Sequence, residues 1–418
     1  MRDRLRIAFI GLRGVPAAEG GIERHVEEIG ARLADRGHDV IVYSRDNYVQ
    51  EQVPEYRGMR VRYLASAGTK HLDFIAHSAA SSVRVLRDSA DIVHYHALGS
   101  GLVAPIPRYL SRSKIVLTVH GLDYARKKWT GPGRVALKLG EALSARVPHA
   151  TIAVSRALAD HYATKLKRRA YYIPNGMPRA VQMPLGEVGR RLGITEQRYF
   201  LFVGRLVPEK APDLLLRAFA RVRADVRLVI AGSSGFTAEY AESLRCAAGT
   251  DRRVVMPGGV FGAELSALYS NASAFVLPSS LEGLPITLLE AIGHRAPVIV
   301  SDIAPHLEVV GEDGPGHRVV PQGDAGSLTA AMEAMLGRSS EERAAVETLA
   351  RRLADRYSWE AVADATERVY LRVLARDLPA AQTWPETEPV ITRSPAASMA
   401  RFSVVTSEEL AGTASRLL

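Results

Sequence analysis

Glu282-Gly283-Leu284-Pro285-Ile286-Thr287-Leu288-Leu289-Glu290 is the stretch whose reading decides the fold. It follows the apolar run Ala274-Phe275-Val276-Leu277 and precedes a second run, Ala296-Pro297-Val298-Ile299-Val300. A short apolar run closed by Pro278 reads as a buried parallel strand, and Ile286 to Ile292 as the start of a helix behind it. Glu282 then sits on the strand-to-helix loop and Glu290 about two turns into the helix, so both carboxylates can face a cleft at the carboxyl end of a parallel sheet. Such a pair can hold sugar hydroxyls while helix-initial amides meet a phosphate.

The same alternation extends upstream. Strands at 199–203, 226–231 and 253–256 are separated by helical patterns at 212–223, 238–248 and 263–269. An earlier series has strands at 5–10, 39–43, 59–63, 91–95, 115–119, 151–154 and 171–173, with helix-length segments such as 71–87 and 134–146 between them. Strands alternating with helices indicate doubly wound parallel sheets, and two such series imply two facing domains with a ligand cleft between them. The Pro-rich stretch 178–193 reads as the linker. Downstream, 328–336 and 341–357 read as helices, and Ser358-Trp359-Glu360 as a cap opening a helix to about residue 375. Residues 378–418 lack periodicity and read as a disordered tail.

The 418 residues suffice for two to three domains. One cysteine, Cys246, excludes an intrachain disulfide and fits a reducing, cytoplasmic setting. No apolar run is long enough to cross a bilayer, and the first ten residues lack a signal-peptide core. The net charge of +9 is uneven: residues 1–180 hold 29 basic and 16 acidic residues, leaving 25 against 29 for the rest. The basic first half suits an anionic lipid or acceptor as well as it suits an ordinary Arg-rich surface, and nothing suggests nucleic acid as a partner.

The loop after the first strand carries Gly11, Gly14, Gly20 and Gly21 without the G-x-G-x-x-G spacing, which disfavours a nicotinamide enzyme. Gly20-Gly21 still lets a phosphate approach a helix N-terminus closely. In Val203-Gly204-Arg205-Leu206-Val207-Pro208-Glu209-Lys210, Arg205 and Lys210 fall on a loop at the sheet end that carries Glu282. Two cations there suit a diphosphate, neutralising charge that grows as a nucleoside diphosphate leaves.

With this motif, Pro174-Asn175-Gly176 and Glu282 to Glu290 in that order, the sequence resembles the family-4 retaining glycosyltransferases of GT-B fold over roughly residues 5–375. Arg13-Gly14-Val15-Pro16 with Gly20-Gly21-Ile22-Glu23, and His120-Gly121-Leu122-Asp123 with Lys128-Trp129, resemble a bacterial subgroup associated with polysaccharide and rhamnosyl-type transfer. The resemblance implies an α/β protein of two Rossmann-like domains facing an interdomain cleft. Residues 1–180 would form the acceptor side and 194–357 the nucleotide-sugar side, with the helix at about 358–375 packing back on the first.

It further implies that Glu290 accepts from the donor ribose, that Glu282 approaches the transferred sugar, and that Arg205 and Lys210 meet the diphosphate. Gly20 and Gly21 would let the first domain close on that diphosphate, His120 would lie near the sugar, and Asn175, Gly204, Gly283, Leu284, Ile286 and Thr287 would complete the donor site. On its own, a lone histidine at a strand end is also an ordinary structural hydrogen-bonder. Two departures from the family pattern stand out: Pro285 lacks an N–H where many members have glycine, and Ala211-Pro212 replaces the common glycine after Lys210.

Family membership would mean transfer with retention from a nucleotide-diphosphate sugar, without a cofactor. No Asp-x-Asp motif points to a metal-nucleotide complex, so activity without metal is expected. The acceptor would be a cell-envelope, polysaccharide, lipid-linked or small-molecule hydroxyl. Arg126, Lys127, Lys128 and Trp129 are the candidates for an anionic-acceptor or lipid-phosphate contact, placing the protein in the cytoplasm or peripherally on the inner membrane face. The alternatives are a hydrolase using Glu282 and Glu290 as an acid/base pair, a nucleotide-sugar epimerase of the same architecture, and a non-catalytic carbohydrate-binding assembly protein.

Overall fold

The computed structural model describes residues 4–17, 20–49, 51–65, 73–125, 131–179, 182–233, 238–337 and 339–375. The tail at 378–418 and the basic loop at 126–129 lie outside the described residues.

The first lobe opens with β1 (Arg6–Ile10), α1 (Gly21–Asp35), β2 (Asp39–Arg45), β3 (Glu55–Tyr56) and β4 (Met59–Leu64). It continues with α2 (Asp73–Asp88), β5 (Ile92–His96), α3 (Pro105–Leu110), β6 (Lys114–Val119) and α4 (Gly131–Ser144). It ends with β7 (Ala150–Ala153), α5 (Arg156–Lys165) and β8 (Tyr171–Tyr172). The sheet order is β3-β4-β2-β1-β5-β6-β7-β8, parallel except for the β3–β4 pair at its edge.

The second lobe begins with α6 (Gly186–Leu192), β9 (Tyr199–Val203), α7 (Pro212–Phe219), β10 (Arg227–Ala231) and α8 (Ala238–Ala248). Then come β11 (Val254–Gly258), α9 (Gly262–Asn271), β12 (Ala274–Leu277), α10 (Ile286–Gly293) and β13 (Val298–Ser301). It closes with α11 (Ala304–Val310), β14 (His317–Val320), α12 (Ala325–Leu336) and α13 (Ser340–Ala354), followed by α14 (Trp359–Leu374). Its sheet is wholly parallel, in the order β11-β10-β9-β12-β13-β14.

The central strands of both sheets are covered on both faces, which is why runs such as those of β1, β9 and β12 are almost wholly apolar. Along β1, Ile7 and Phe9 join the buried cluster that holds Val26, Ile29 and Leu33 of α1 and Val362 and Val369 of α14. Ala8 and Ile10 point the other way, into the cluster that includes Val85 of α2 and Leu98. The period of two along the strand thus separates an α1/α14 face from an α2, α3 and α4 face.

Strand order reverses between β1 and β5 in the first sheet and between β9 and β12 in the second. Crevices open at such reversals, beyond the carboxyl ends of the strands. The segments leading out of β1, β9 and β12 are those that hold Gly20, Gly204 to Lys210, and Glu282.

The chain crosses between lobes twice. The first crossing runs from Ile173 to Leu185, and the second leads from α13 into α14, which packs against α1. The crossings touch: the Met177 amide donates to the Tyr357 carbonyl at 2.5 Å, and Met177 bridges Ser358. Ser358 caps α14, its Oγ accepting from the Ala361 amide at 3.1 Å. Arg32 of α1 and Arg36, its C-cap, hold Glu360 and Glu367 of α14 at 2.7 and 2.8 Å.

One reading of the sequence needs correction. The stretch 178–193 is not wholly linker, because α6 forms within it, ends at Gly193 in the left-handed conformation (φ 61°), and buries Leu185 and Val188. Its pattern is too short for periodicity to compete with the flanking prolines. Among the elements not anticipated are α11 and β14. Pro305 near the start of α11 hides the helix, and polar His317 and Arg318 hide the edge strand.

Candidate functional site

Lys210 ends a short 3-10 turn, Pro208–Lys210, after β9, and Glu282 lies on the loop after β12. Their strands are neighbours in the sheet, which brings the two loops together. Lys210 Nζ donates to Glu282 Oε1 at 2.7 Å, and Ser279 Oγ donates to the same oxygen at 2.9 Å. Burial alone would raise the Glu282 carboxyl, but the Lys210 ammonium and the Ser279 hydroxyl together hold it below the usual carboxylate range. Behind this pair lies His306, which burial lowers to about 4 despite the nearby carboxylate. Arg205 is half-buried on the same loop as Lys210.

Ala211, next to Lys210, has φ 51° and ψ 43°, the left-handed conformation that glycine adopts most readily. Pro212 then occupies the first position of α7, where a missing N–H costs nothing. Pro285 is the N-cap of α10, so its missing N–H falls outside the helix, while its carbonyl accepts from Leu288 and Leu289 at 3.2 and 3.4 Å. The amides of Ile286 and Thr287 belong to the helix's first turn and have no intrahelical acceptor. Thr287 Oγ1 beside them is buried without a hydrogen-bond partner.

Gly21, the first residue of α1, faces this turn from the other lobe: a Cβ placed on it would lie 3.6 Å from Ile286 Cδ1. Two helix N-termini, α1 and α10, therefore converge on one space, and each carries partial positive charge. Gly20 before α1 has φ 102°, and a Cβ there would meet Glu23 at 2.2 Å. Glu23 also accepts from the Arg13 amide at 3.0 Å and so fixes the glycine-bearing loop.

Glu290, on α10, accepts from the Tyr269 hydroxyl at 3.2 Å and lies 4.0 Å from Arg24 Nε of α1. Burial pushes its carboxyl up, only partly offset by Arg24 and Tyr269. Glu282 and Glu290 thus have different electrostatic settings, the first paired with an ammonium at 2.7 Å and the second with its nearest cation, Arg24, 4.0 Å away.

Gly283 presses against the other lobe. A Cβ at this position would fall 1.9 Å from the His120 carbonyl oxygen, so only glycine permits the approach. The adjacent Leu284 carbonyl accepts from Asn175 Nδ2 at 2.6 Å. Asn175 Oδ1 must then be the acceptor toward His25 Nδ1, 2.9 Å away, so that nitrogen carries the proton. His25 meets the His120 ring edge-on at 4.8 Å, and His120 Nε2 lies 3.0 Å from His96 Nδ1.

This histidine stack extends to His94, which bonds to Tyr370 and Thr118 at 2.6 and 2.7 Å. Burial drives all four imidazoles toward the neutral form: His25 to about 4, and His94, His96 and His120 well below the usual range. Ring nitrogens of His25, His96 and His120 lie within 4.8 Å of one another. Three neutral imidazoles suit a borderline transition ion; the Mg²⁺ of a metal-nucleotide complex takes oxygen ligands.

The fold therefore brings Gly21, Lys210, Glu282, Gly283, Leu284, Ile286, Thr287, Glu290, His120 and Asn175 to one interlobe cleft, with Gly20, Gly204 and Arg205 on its loops. Arg126, Lys127, Lys128 and Trp129 are outside the described residues. Arg24, His25 and His96 were not singled out from the sequence. His94 and His96 do carry a signal, two polar residues at period two in the otherwise apolar run Ile92–His96.

The profile described as Glycosyltransferase Family 4 matches residues 19–180, and that described as Glycosyl transferases group 1 matches residues 189–353. A D-inositol 3-phosphate glycosyltransferase of Geodermatophilus obscurus is 31% identical over 386 residues, covering 84% of each chain. A glycosyltransferase of Methanocaldococcus jannaschii is 26% identical over 387 residues, covering 88% of this chain and 98% of that one. Among solved structures, sucrose-phosphate synthase from Thermosynechococcus elongatus superimposes with a TM-score of 0.76 at 22% identity, over 90% of this chain and 100% of the other. Anabaena HepE in complex with UDP and glucose gives a TM-score of 0.74 at 18% identity, over 88% and 99%. With both lobes matched in order, and with the fold shared by GT-B enzymes, the chain belongs to glycosyltransferase family 4, the retaining glycosyltransferases that use nucleotide sugars.

Proposed function

We propose that the cleft binds a nucleoside-diphosphate sugar between the N-termini of α1 and α10 and transfers its glycosyl group to a cell-envelope or polysaccharide hydroxyl. The observation that carries this reading is the approach of Gly21 at the start of α1 to Ile286 at the start of α10, which supplies two helix ends and the unpartnered Thr287 hydroxyl for a diphosphate, with the Lys210 cation on the neighbouring loop beside Glu282. Glu290 takes the ribose hydroxyls, Glu282 and His120 border the transferred sugar, and Arg205 joins Lys210 on the phosphates. Asn175, Gly283 and Leu284 hold the donor-side loop against the first lobe.

In the transfer step the anomeric carbon–phosphate oxygen bond breaks and the acceptor oxygen bonds to the same face. The acceptor proton passes to the departing phosphate oxygen, and the negative charge left on the diphosphate is met by Lys210, Arg205 and the helix-initial amides. The paired Lys210 keeps Glu282 ionised, which disfavours it as the general acid of a hydrolase. Neither a cofactor nor a metal is required. The acceptor enters from the first lobe, and the enzyme works peripherally on an anionic inner-membrane face.

A thermal-shift panel of UDP-, GDP- and dTDP-sugars, followed by nucleotide release with envelope acceptors, tests the assignment. Stabilisation by one donor and acceptor-dependent release are expected, with turnover retained in EDTA. Release at the full rate without acceptor would instead identify a hydrolase, and loss of turnover on chelation, restored by Mg²⁺ or Mn²⁺, would overturn metal independence.

A further inference from the structure

Five of the seven large apolar side chains most exposed among the described residues lie on the three helices that cover one face of the first sheet. They are Val83 of α2, Tyr109 and Leu110 at the end of α3, and Val135 and Leu139 of α4, exposed by 55, 74, 69, 67 and 54%. These helices form one layer. The 3-10 turn Leu98–Leu102 is wedged between α2 and α4, where a Cβ on Gly99 would meet Phe74 at 2.7 Å and Leu137 at 3.7 Å, and α2 packs on α3. Val135 and Leu139 are one helical turn apart, so they project together, opposite the buried Leu137, Gly140 and Glu141.

The exposed charge carried by the three helices themselves is basic, with the exposed Asp91 following three residues beyond the end of α2. Arg87, Arg112, Lys138 and Arg146 on these helices and just beyond their ends are exposed. The acidic residues of the three helices are turned inward: Asp73 is held by Arg45 at 2.6 Å, Glu141 is buried, and Asp88 pairs with Arg62 at 3.1 Å with its side chain 8% exposed.

We propose that the α2, α3 and α4 face docks on an anionic lipid bilayer. It extends the peripheral contact proposed above to a named surface, and rests on that reading only in the choice of a membrane. A second copy of the chain fits poorly, since a two-fold contact would set this face's cations against themselves. A bilayer interface supplies what the face lacks: anionic headgroups for the cations, and a shallow apolar zone for singly projecting aliphatic and tyrosine side chains. No helix among the described residues is long and apolar enough to cross a membrane, so the layer lies on the surface. β6 leads directly to His120 at the cleft, and α4 begins at Gly131.

The test is sedimentation of the full chain with vesicles of phosphatidylcholine, alone or with about a third phosphatidylglycerol. Binding to the anionic vesicles only is expected, weakening as salt rises. A variant combining Tyr109→Ser, Leu110→Ser, Val135→Ser and Leu139→Ser, and a second combining Arg112→Glu with Lys138→Glu, should each bind about tenfold more weakly or worse. All six positions are exposed, so melting temperature and donor binding should be unchanged. Equal binding to both vesicle types, or full binding by both variants, would overturn the proposal. A wild-type dimer that becomes monomeric in the serine variant would assign the face to a second copy instead. Nucleotide release with a water-soluble acceptor, unaffected by either variant, keeps this outcome separate from the transfer reaction.

Discussion

Lys210 and Glu282 hold each other's charge, so changing one alters the other. Lys210→Met should lower kcat by about a hundredfold through loss of phosphate stabilisation. It should also move the acid limb of the pH–rate profile upward, because burial would no longer be opposed by the ammonium. The sign follows from a depressed carboxyl: the stability this pair contributes is present above the ordinary carboxylate range and is lost as pH falls through the folded-state value. A pH–rate series on both proteins checks it, and an unmoved acid limb would assign that limb to another group. Thr287→Val should behave differently, since its hydroxyl is buried without a partner. Its melting temperature should hold or rise slightly while KM for the donor increases about tenfold, the signature of a group kept for a ligand.

Elements carry the next set of consequences. Ala211 stands at φ 51° between the Lys210 turn and α7, so Ala211→Gly should relieve left-handed strain and stabilise the protein by about 0.5–1 kcal/mol, measurable by denaturant unfolding. Both parallel sheets were legible because the central strands, buried on two faces, are apolar: β9 and β12 throughout, and β10 after Arg227. The Lys210 and Glu282 loops were legible because they interrupt such runs with charge. α6 and β14 were not, being short and flanked or occupied by residues that obscure period. Arg24, His25 and His96 escaped for another reason: each matters through a partner far away in sequence, as with His25 and Asn175, 150 positions apart, and local pattern carries no trace of such pairings.

At the scale of the molecule, the lobes are joined on the side where α5 packs on α11 as well as at the cleft. Glu308 of α11 accepts from the Arg156 amide at 2.8 Å and from the Tyr172 hydroxyl at 2.6 Å, both in the first lobe. Burial pushes its carboxyl up to about 6, with Tyr172 and Arg156 opposing the shift. A carboxyl raised in the folded state favours folding below its unfolded value, and that contribution is lost as pH rises through about 6. Relative to Glu308→Gln, the wild type should therefore lose stability on the order of 1–2 kcal/mol between about pH 4.5 and 7, followed by urea unfolding. A pH-independent difference would show that Glu308 titrates normally.

The meeting of the two interlobe crossings, where the Met177 amide bonds to the Tyr357 carbonyl, restricts how the molecule can open. Two chain segments pinned side by side define a rotation axis. Relative displacement of the lobes is then close to a single angle, and one pair of distance labels spanning the cleft would report the whole motion.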